Sequence, residues 1–365
     1  MGFKCGIVGL PNVGKSTFFN AITATASATA DNYPFCTIEP NKALIAVGDE
    51  RLKKIAKIVD TKTIIPAYIE LIDIAGLIQG ANKGEGLGNK FLEHIREVDV
   101  IIHLLRCFED SNVMHVNNRI DPIADLEIVR LELILADLQT VEKMLENLEK
   151  KSRSKKENKE LIPLLIEIKS VLENGHPVSS IENFDKKQSQ IKLFNLLTSK
   201  EFFYVCNTSE NDILSGNKFT AEVVEFAKKQ NTKLVILSAQ IESELALLDD
   251  LKEKEEFCSA LGIKESGLNK VTKVGYDLLG LQSYFTAGKK EVRAWTIGKD
   301  SLAPEAAGVI HTDFQKGFIR VEVISYDDYI EFNGRNEAKA QGKMKLCGKD
   351  YIVQNGDILH FLFNV

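Results

Sequence analysis

Residues 9 to 16 read Gly9-Leu10-Pro11-Asn12-Val13-Gly14-Lys15-Ser16, directly after the apolar run Phe3 to Val8 and directly before the helix-forming stretch Ser16 to Thr23. This pattern fixes a buried strand, a tight turn and a helix start in sequence order. The glycines at both ends keep side chains out of the turn, so backbone N–H groups converge on one point at the positive end of a helix. Such a point suits a phosphate. In the G-x-x-x-x-G-K-[ST] pattern the backbone of Asn12, Val13 and Gly14 wraps a β-phosphate, and Lys15 reaches the β and γ oxygens. Ser16 offers its hydroxyl to Mg2+, and Thr17 lies next in line for an α-phosphate.

The chain has 365 residues with 44% hydrophobic content, enough for two or three domains at the usual ~100–200 residues each. A net charge of -6 argues against a uniformly basic nucleic-acid binder and leaves room only for a local basic patch. Cys5, Cys36, Cys107, Cys206, Cys258 and Cys347 are scattered, with no C-x-x-C pair and no histidine at zinc spacing. Reduced thiols and a cytoplasmic setting are expected. No apolar stretch approaches the ~18 residues of a membrane helix, and the N-terminus lacks the form of a signal peptide, so no membrane association is expected.

Strand-length apolar runs at Phe3–Val8, Ala43–Val47, Tyr68–Ile74, Val100–Leu105, Phe202–Cys206 and Leu234–Leu237 alternate with helical stretches. Continuous Val/Ile/Leu strands with helical crossovers predict an α/β fold with a mostly parallel sheet covered on both faces, binding its ligand at the carboxyl ends of the strands. Between about Asp125 and Lys200 the rhythm breaks. Leu131, Ile134, Leu138, Val141, Leu145 and Leu148 follow three- and four-residue steps, and Leu161, Leu165, Ile168 and Leu172 resume them after the polar stretch Lys150 to Glu160. This predicts an inserted antiparallel helical coiled coil. From about Gly280, short strand-like pieces (Tyr284–Ala287, Val292–Ile297, Phe318–Val323, Tyr351–Gln354, Ile358–Phe363) around one helical patch, Pro304–Ile310, predict a small β-rich domain. The expected division is 1–124 with 200–279, 125–199, and 280–365.

Asp73-Ile74-Ala75-Gly76 closes the third strand as a D-x-x-G element, in which the carboxylate holds a Mg2+-bound water and the Gly76 N–H senses a γ-phosphate. Thr37 is the natural second Mg2+-binding hydroxyl. Guanine readers place Asn-Lys-x-Asp after the fifth strand, where this chain has Asn207-Thr208-Ser209-Glu210. The flanking lysine is missing and the glutamate overreaches a guanine edge, whereas Asn207 and the backbone near Thr208 can serve adenine N6 and a ring nitrogen. ATP is therefore favoured over GTP. Ser238-Ala239-Gln240 follows the sixth strand in the place of a base-buttressing Ser-Ala-Lys. Leu77 stands where many small GTPases carry a water-orienting glutamine, so intrinsic hydrolysis should be slow, with His115 as the candidate water-positioning group.

With these elements, together with Phe35-Cys36-Thr37-Ile38-Glu39-Pro40-Asn41 and the glycine-rich run Gly80 to Gly88, the chain resembles over its whole length the Obg-like ATPases of the YchF group, in the translation-factor class of P-loop proteins. The tail, including His311 to Arg320, looks like a TGS domain, a ubiquitin-like β-grasp module. The resemblance implies a nucleotide-switched ATPase that binds ribosomes or their subunits and regulates translation or stress responses. It also implies that His115 assists hydrolysis and that K+ activates it, with Asn12 as the associated asparagine. The Lys-rich turn of Lys150, Lys151, Arg153, Lys155, Lys156 and Lys159 reads equally as a contact for ribosomal RNA phosphates or as a solvated tip. The alternatives at this point are a ribosome-assembly GTPase and a nucleotide-gated binding module with negligible turnover.

Overall fold

The structure, a computed structural model, describes residues 3–30, 41–74, 87–110, 119–151, 161–248 and 251–364. In chain order its elements are β1 (Lys4–Val8), α1 (Lys15–Ala30), β2 (Lys42–Ala46), α2 (Glu50–Val59), β3 (Ile64–Ile65), β4 (Tyr68–Asp73), α3 (Leu87–Glu97), β5 (Val100–Arg106), α4 (Pro122–Lys151), α5 (Leu161–Glu173) and α6 (Phe184–Lys192). They continue as β6 (Glu201–Asn207), α7 (Lys218–Lys229), β7 (Leu234–Leu237), α8 (Ala239–Ala246), α9 (Leu251–Ala260), α10 (Gly267–Leu278), β8 (Leu281–Ala287), β9 (Val292–Gly298), α11 (Ala303–Ile310), α12 (Thr312–Lys316), β10 (Phe318–Ile324), α13 (Tyr326–Glu331), α14 (Arg335–Ala340), β11 (Lys345–Cys347) and β12 (Ile358–Phe363). By internal contacts the chain forms two compact units. One comprises Lys4–Ile22 with Leu71–Gly267, and the other Met1–Phe3, Thr23–Glu70 and Leu268–Val365.

The first unit is built on the parallel run β1-β5-β6-β7. Register is set by pairs such as Ile7 with Ile102, Leu105 with Cys206 and Asn207 with Leu237. The end of β4 lies on the other side of β1, where Ile74 N donates to Ile7 O at 3.3 Å. Every residue of β5 is buried. A strand covered on both faces must be apolar throughout, which explains its unbroken Val-Ile-Ile-His-Leu-Leu run. His103 fits because its ring packs among Phe202 and Tyr204, with centroids 5.8 and 6.1 Å away, and burial lowers its pKa to about 4, keeping it neutral.

The helical insertion follows the expected seam with one correction. Ile134, Val141, Leu165, Ile168 and Leu172 are buried together, with Leu138, Leu145 and Leu148 partly buried against them. Leu131, by contrast, is 53% exposed. α4 is 30 residues long and α5 only 13, so the root of α4 extends beyond the span α5 can cover. The insertion is also more than a hairpin. After α5 the chain adds α6 and two short 3₁₀ turns, burying Val178, Ile181, Ile191, Phe194 and Leu196 in the same core. Asp137 of α4 fixes this addition: fully buried, it accepts from Leu197 N (2.8 Å), Thr198 N (2.7 Å) and Thr198 Oγ1 (2.7 Å).

In the second unit the sheet order is β11-β10-β12-β8-β9-β3. β8 and β9 pair antiparallel, as do β10 with β12 and β10 with β11, while β12 runs parallel to β8. On one face Ala303, Ala306 and Ala307 of α11 pack on Tyr284, Val321, Leu359 and Phe361. On the other, Leu52, Ile55 and Ala56 of α2 pack on Phe285, Ala294, Ile324 and Ile358. The expected β-rich domain is present with two changes. Tyr351–Gln354 forms no strand, because Asp357 gathers it into a turn by accepting from Tyr351 Oη (2.7 Å) and Gln354 N (2.9 Å). Moreover, the sheet takes in β3 from far upstream, pairing Ile64 with Val292 and Ile65 with Arg293 in parallel.

Candidate nucleotide-binding site

The ends of β1, β4, β6 and β7 meet at the carboxyl edge of the parallel sheet, where a doubly wound fold places its ligand. The glycine-rich loop leaves β1 and enters α1 at Lys15. Asn12 has φ 64° and Gly14 φ 90°, the left-handed backbone that a tight phosphate-loop turn requires. α1 carries no acidic residue in its first turn, so its own side chains add no negative charge at its positive end. Ser16 and Thr17 are exposed on that turn.

Lys15 and Asp73 come together as the sequence implied. Lys15 Nζ donates to Asp73 Oδ1 at 2.6 Å and to Ile74 O at 2.8 Å, tying the phosphate loop to the end of β4. A lysine held here lies beside the site of a polyphosphate, and the carboxylate beside it faces the same space. Thr37, Gly76 and His115 lie outside the described residues, as do the side chains of the Lys150–Lys159 turn.

Asn207 is only 4% exposed and serves first as a brace. Its Nδ2 donates to Val13 O at 3.0 Å and its Oδ1 accepts from Ala239 N at 2.9 Å, so one amide links the phosphate loop, β6 and the start of α8. One N–H and one lone pair remain for a ligand. The brace also explains Gly14: a Cβ there would come within 2.2 Å of Asn207 Nδ2. Thr208 is buried and bonded through its N–H to Leu237 O at 2.8 Å. Ser238 caps α8, its Oγ accepting from Ile241 N, so it shapes the loop from beneath. Glu210 Oε1 is buried with no hydrogen-bond partner among the described residues.

The donor set suits Mg2+. The Ser16 hydroxyl, completed by phosphate oxygens and by waters of which the Asp73 carboxylate could hold one, is the kind of oxygen set this hard ion takes, and it needs no all-protein cage. The described residues contain no cluster of three or more His, Cys, Asp or Glu placed to hold a metal. Among the described residues no helix is long and apolar enough to cross a membrane.

Sequence reading missed Asp212 and Asn217. Ser209 Oγ donates to Asp212 Oδ2 at 2.9 Å, and Asn217 Nδ2 donates to the same oxygen at 2.8 Å and to Cys107 O at 2.7 Å. The available signal was Asn217-Lys218-Phe219-Thr220, a helix-capping sequence that opens α7.

A strand-loop-helix phosphate cradle, an aspartate at the end of the neighbouring strand and a base loop after β6 define a P-loop nucleoside triphosphatase. A family model described as a 50S ribosome-binding GTPase matches residues 4–208, and one named YchF-GTPase_C, described as a protein of unknown function, matches residues 281–364. The chain is 53% identical to the ribosome-binding ATPase YchF of Haemophilus influenzae and 49% identical to that of Bacillus subtilis, in each case across 100% of both chains. The solved structure of the Schizosaccharomyces pombe YchF GTPase superposes with a TM-score of 0.88 at 39% identity, covering 99% of this chain and 98% of that one. The chain belongs to the YchF family.

Proposed function

We propose that this chain is a ribosome-binding ATPase that binds ATP, hydrolyses it slowly to ADP and phosphate, and uses the cycle as a switch in translation or stress regulation. The curated relatives carry the name ribosome-binding ATPase along the full length of the match, and the bonds of Lys15 to Asp73 and of Asn207 to Val13 O support a nucleotide site around the phosphate loop. The observation that carries the choice of base is Asn207-Thr208-Ser209-Glu210, which occupies the guanine-reading position without its lysine and aspartate. The yeast relative is titled a GTPase, so base choice is the point to test.

In this reading Lys15 and the N–H groups of Asn12, Val13 and Gly14 hold the triphosphate, with Thr17 at the α-phosphate. Ser16 and Thr37 would hold a Mg2+, which would supply positive charge against that developing on the phosphoryl oxygens. Asp73 would hold a water of that ion and Asn12 would be the asparagine associated with an activating K+, while Gly76 follows the γ-phosphate and His115 positions the attacking water. Asn207, Thr208, Ser238 and Ala239 form the adenine end. The sheet-based regions 1–124 and 200–279 carry the nucleotide, while 125–199 and the TGS-like 280–365 engage the ribosome, the Lys150–Lys159 turn against ribosomal RNA.

ATP and GTP affinities measured on one sample, with ribosome cosedimentation under each nucleotide, test the proposal. At least tenfold tighter GTP binding would remove the adenine reading. Turnover no faster than that of Lys15→Ala, with K+ and ribosomes present, would remove the enzyme.

A further inference from the structure

The loop that follows Asn207 is held by side chains whose hydrogen bonds run to one another, to Cys107 and to α7, with none to the phosphate cradle among the described residues. Asn217 is their hub. Its two Nδ2 hydrogens go to Cys107 O (2.7 Å) and Asp212 Oδ2 (2.8 Å), and its Oδ1 accepts from Thr220 N at 3.0 Å. The Asp212 oxygen it meets also accepts from Ser209 Oγ at 2.9 Å. Two donors converging on one carboxylate oxygen make strong, directional bonds. Backbone bonds complete the frame: Asp212 N donates to Ser209 O at 3.2 Å and Gly216 N to Asp212 O at 2.8 Å. Cys107 N, whose own carbonyl Asn217 holds, donates to Asn207 O at 2.8 Å.

Helix capping alone requires only Oδ1 of Asn217. Aspartate, serine or threonine would meet that need equally well, but none of them supplies the two N–H donors used on Cys107 and Asp212. The donors face the exit of β5 and the base loop, and both contacts bear on the four residues Asn207 to Glu210. We propose that Asn217 and Asp212 are positioning residues for nucleobase recognition: they set the shape of the Asn207–Glu210 loop and thereby the affinity and selectivity for the base, without touching the nucleotide. The proposal rests on the reading of that loop as the adenine end of the site.

Asn217→Asp separates the two roles, because it keeps an oxygen for Thr220 N and replaces the donor with an oxygen facing both Cys107 O and the Asp212 carboxylate. Affinities for ATP, GTP and Mg2+-tripolyphosphate are measured by calorimetry, with the thermal midpoint taken without ligand. ATP should bind about tenfold more weakly, the ordinary worth of one net hydrogen bond, and the ATP-to-GTP preference should fall, while tripolyphosphate stays within about twofold. In steady state KM should rise with kcat unchanged. Adding Asp212→Asn to Asn217→Asp reverses the donor and acceptor and should recover part of the loss. Ser209→Ala, which leaves the α7 cap intact, should weaken ATP about threefold and serves if Asn217→Asp does not fold. The proposal is overturned if ATP affinity and base preference are unchanged while only the thermal midpoint falls, or if ATP and tripolyphosphate weaken equally. At least tenfold tighter GTP binding by the unaltered protein would instead defeat the adenine reading, and the comparison of ATP with tripolyphosphate would still decide this inference.

Discussion

The contact between Gly14 and Asn207 can be tested as a thermodynamic pair. Gly14→Ala places a methyl 2.2 Å from Asn207 Nδ2 at a residue whose φ is 90°. The backbone conformation costs an alanine about 1–2 kcal/mol, and the methyl expels the amide from its seat. That displacement breaks the bonds to Val13 O (3.0 Å) and from Ala239 N (2.9 Å), in a place where Asn207 is 4% exposed. Leaving those backbone groups unpaired costs about 2–3 kcal/mol, so the single change should destabilise by about 3–5 kcal/mol. Asn207→Ala should cost about 2–4 kcal/mol through the same lost bonds. In the double variant the amide is already gone, so Gly14→Ala adds only its backbone strain, and the cycle should show about 2–3 kcal/mol of coupling. Native-state hydrogen exchange at β5 and β6 amides reads the stability of this unit directly, and ATP affinity should fall alongside it. Additive costs, or a Gly14→Ala protein in which the Ala239 amide stays as protected as before, would refute the brace.

Two further predictions follow from buried polar groups. Because burial holds the His103 pKa at about 4, against 6.5 in an unfolded chain, the unfolded state alone takes up a proton between those values. Stability is therefore complete above about pH 6.5 and falls as pH drops towards 4, by about 2 kcal/mol at pH 5, and His103→Phe should flatten this slope in denaturation measured at pH 7 and pH 5. Asp137→Ala strands two buried backbone N–H groups, at Leu197 and Thr198, and should cost about 3–5 kcal/mol, seen as lost exchange protection at those amides with ATP affinity unchanged.

The nucleotide core was legible because its signals are local. A phosphate loop must sit between a strand and a helix, and a buried parallel strand such as Val100 to Leu105 is apolar but for His103. The helical seam from Ile134 to Leu172 was legible for the same reason, since its period is written in adjacent turns. Long-range pairings left no such trace. Nothing about Asn207 announces that its amide meets Val13, 194 residues earlier, or that Gly14 is glycine partly to admit it. Asn217 is legible only as an ordinary helix cap, since nothing local shows that its amide meets Cys107 and Asp212. Ile64-Ile65 is too short to show any alternation, and its partner strand lies more than two hundred residues away.

The pairing of β3 with β9 redraws the boundary of the C-terminal module. Residues 281–364, the span matched as a family of its own, do not contain everything that closes their sheet. Cut out alone, they would present β9 as a bare edge and would leave Phe285, Ala294, Ile324 and Ile358 without the cover of Leu52, Ile55 and Ala56. An uncapped edge beside a stripped apolar face invites self-association. The module that recurs as a family and the one whose sheet is closed are thus different objects: a swapped or shuffled tail should bring the stretch from Lys42 to Ile65 with it to keep its β9 edge paired and its α2-facing side covered.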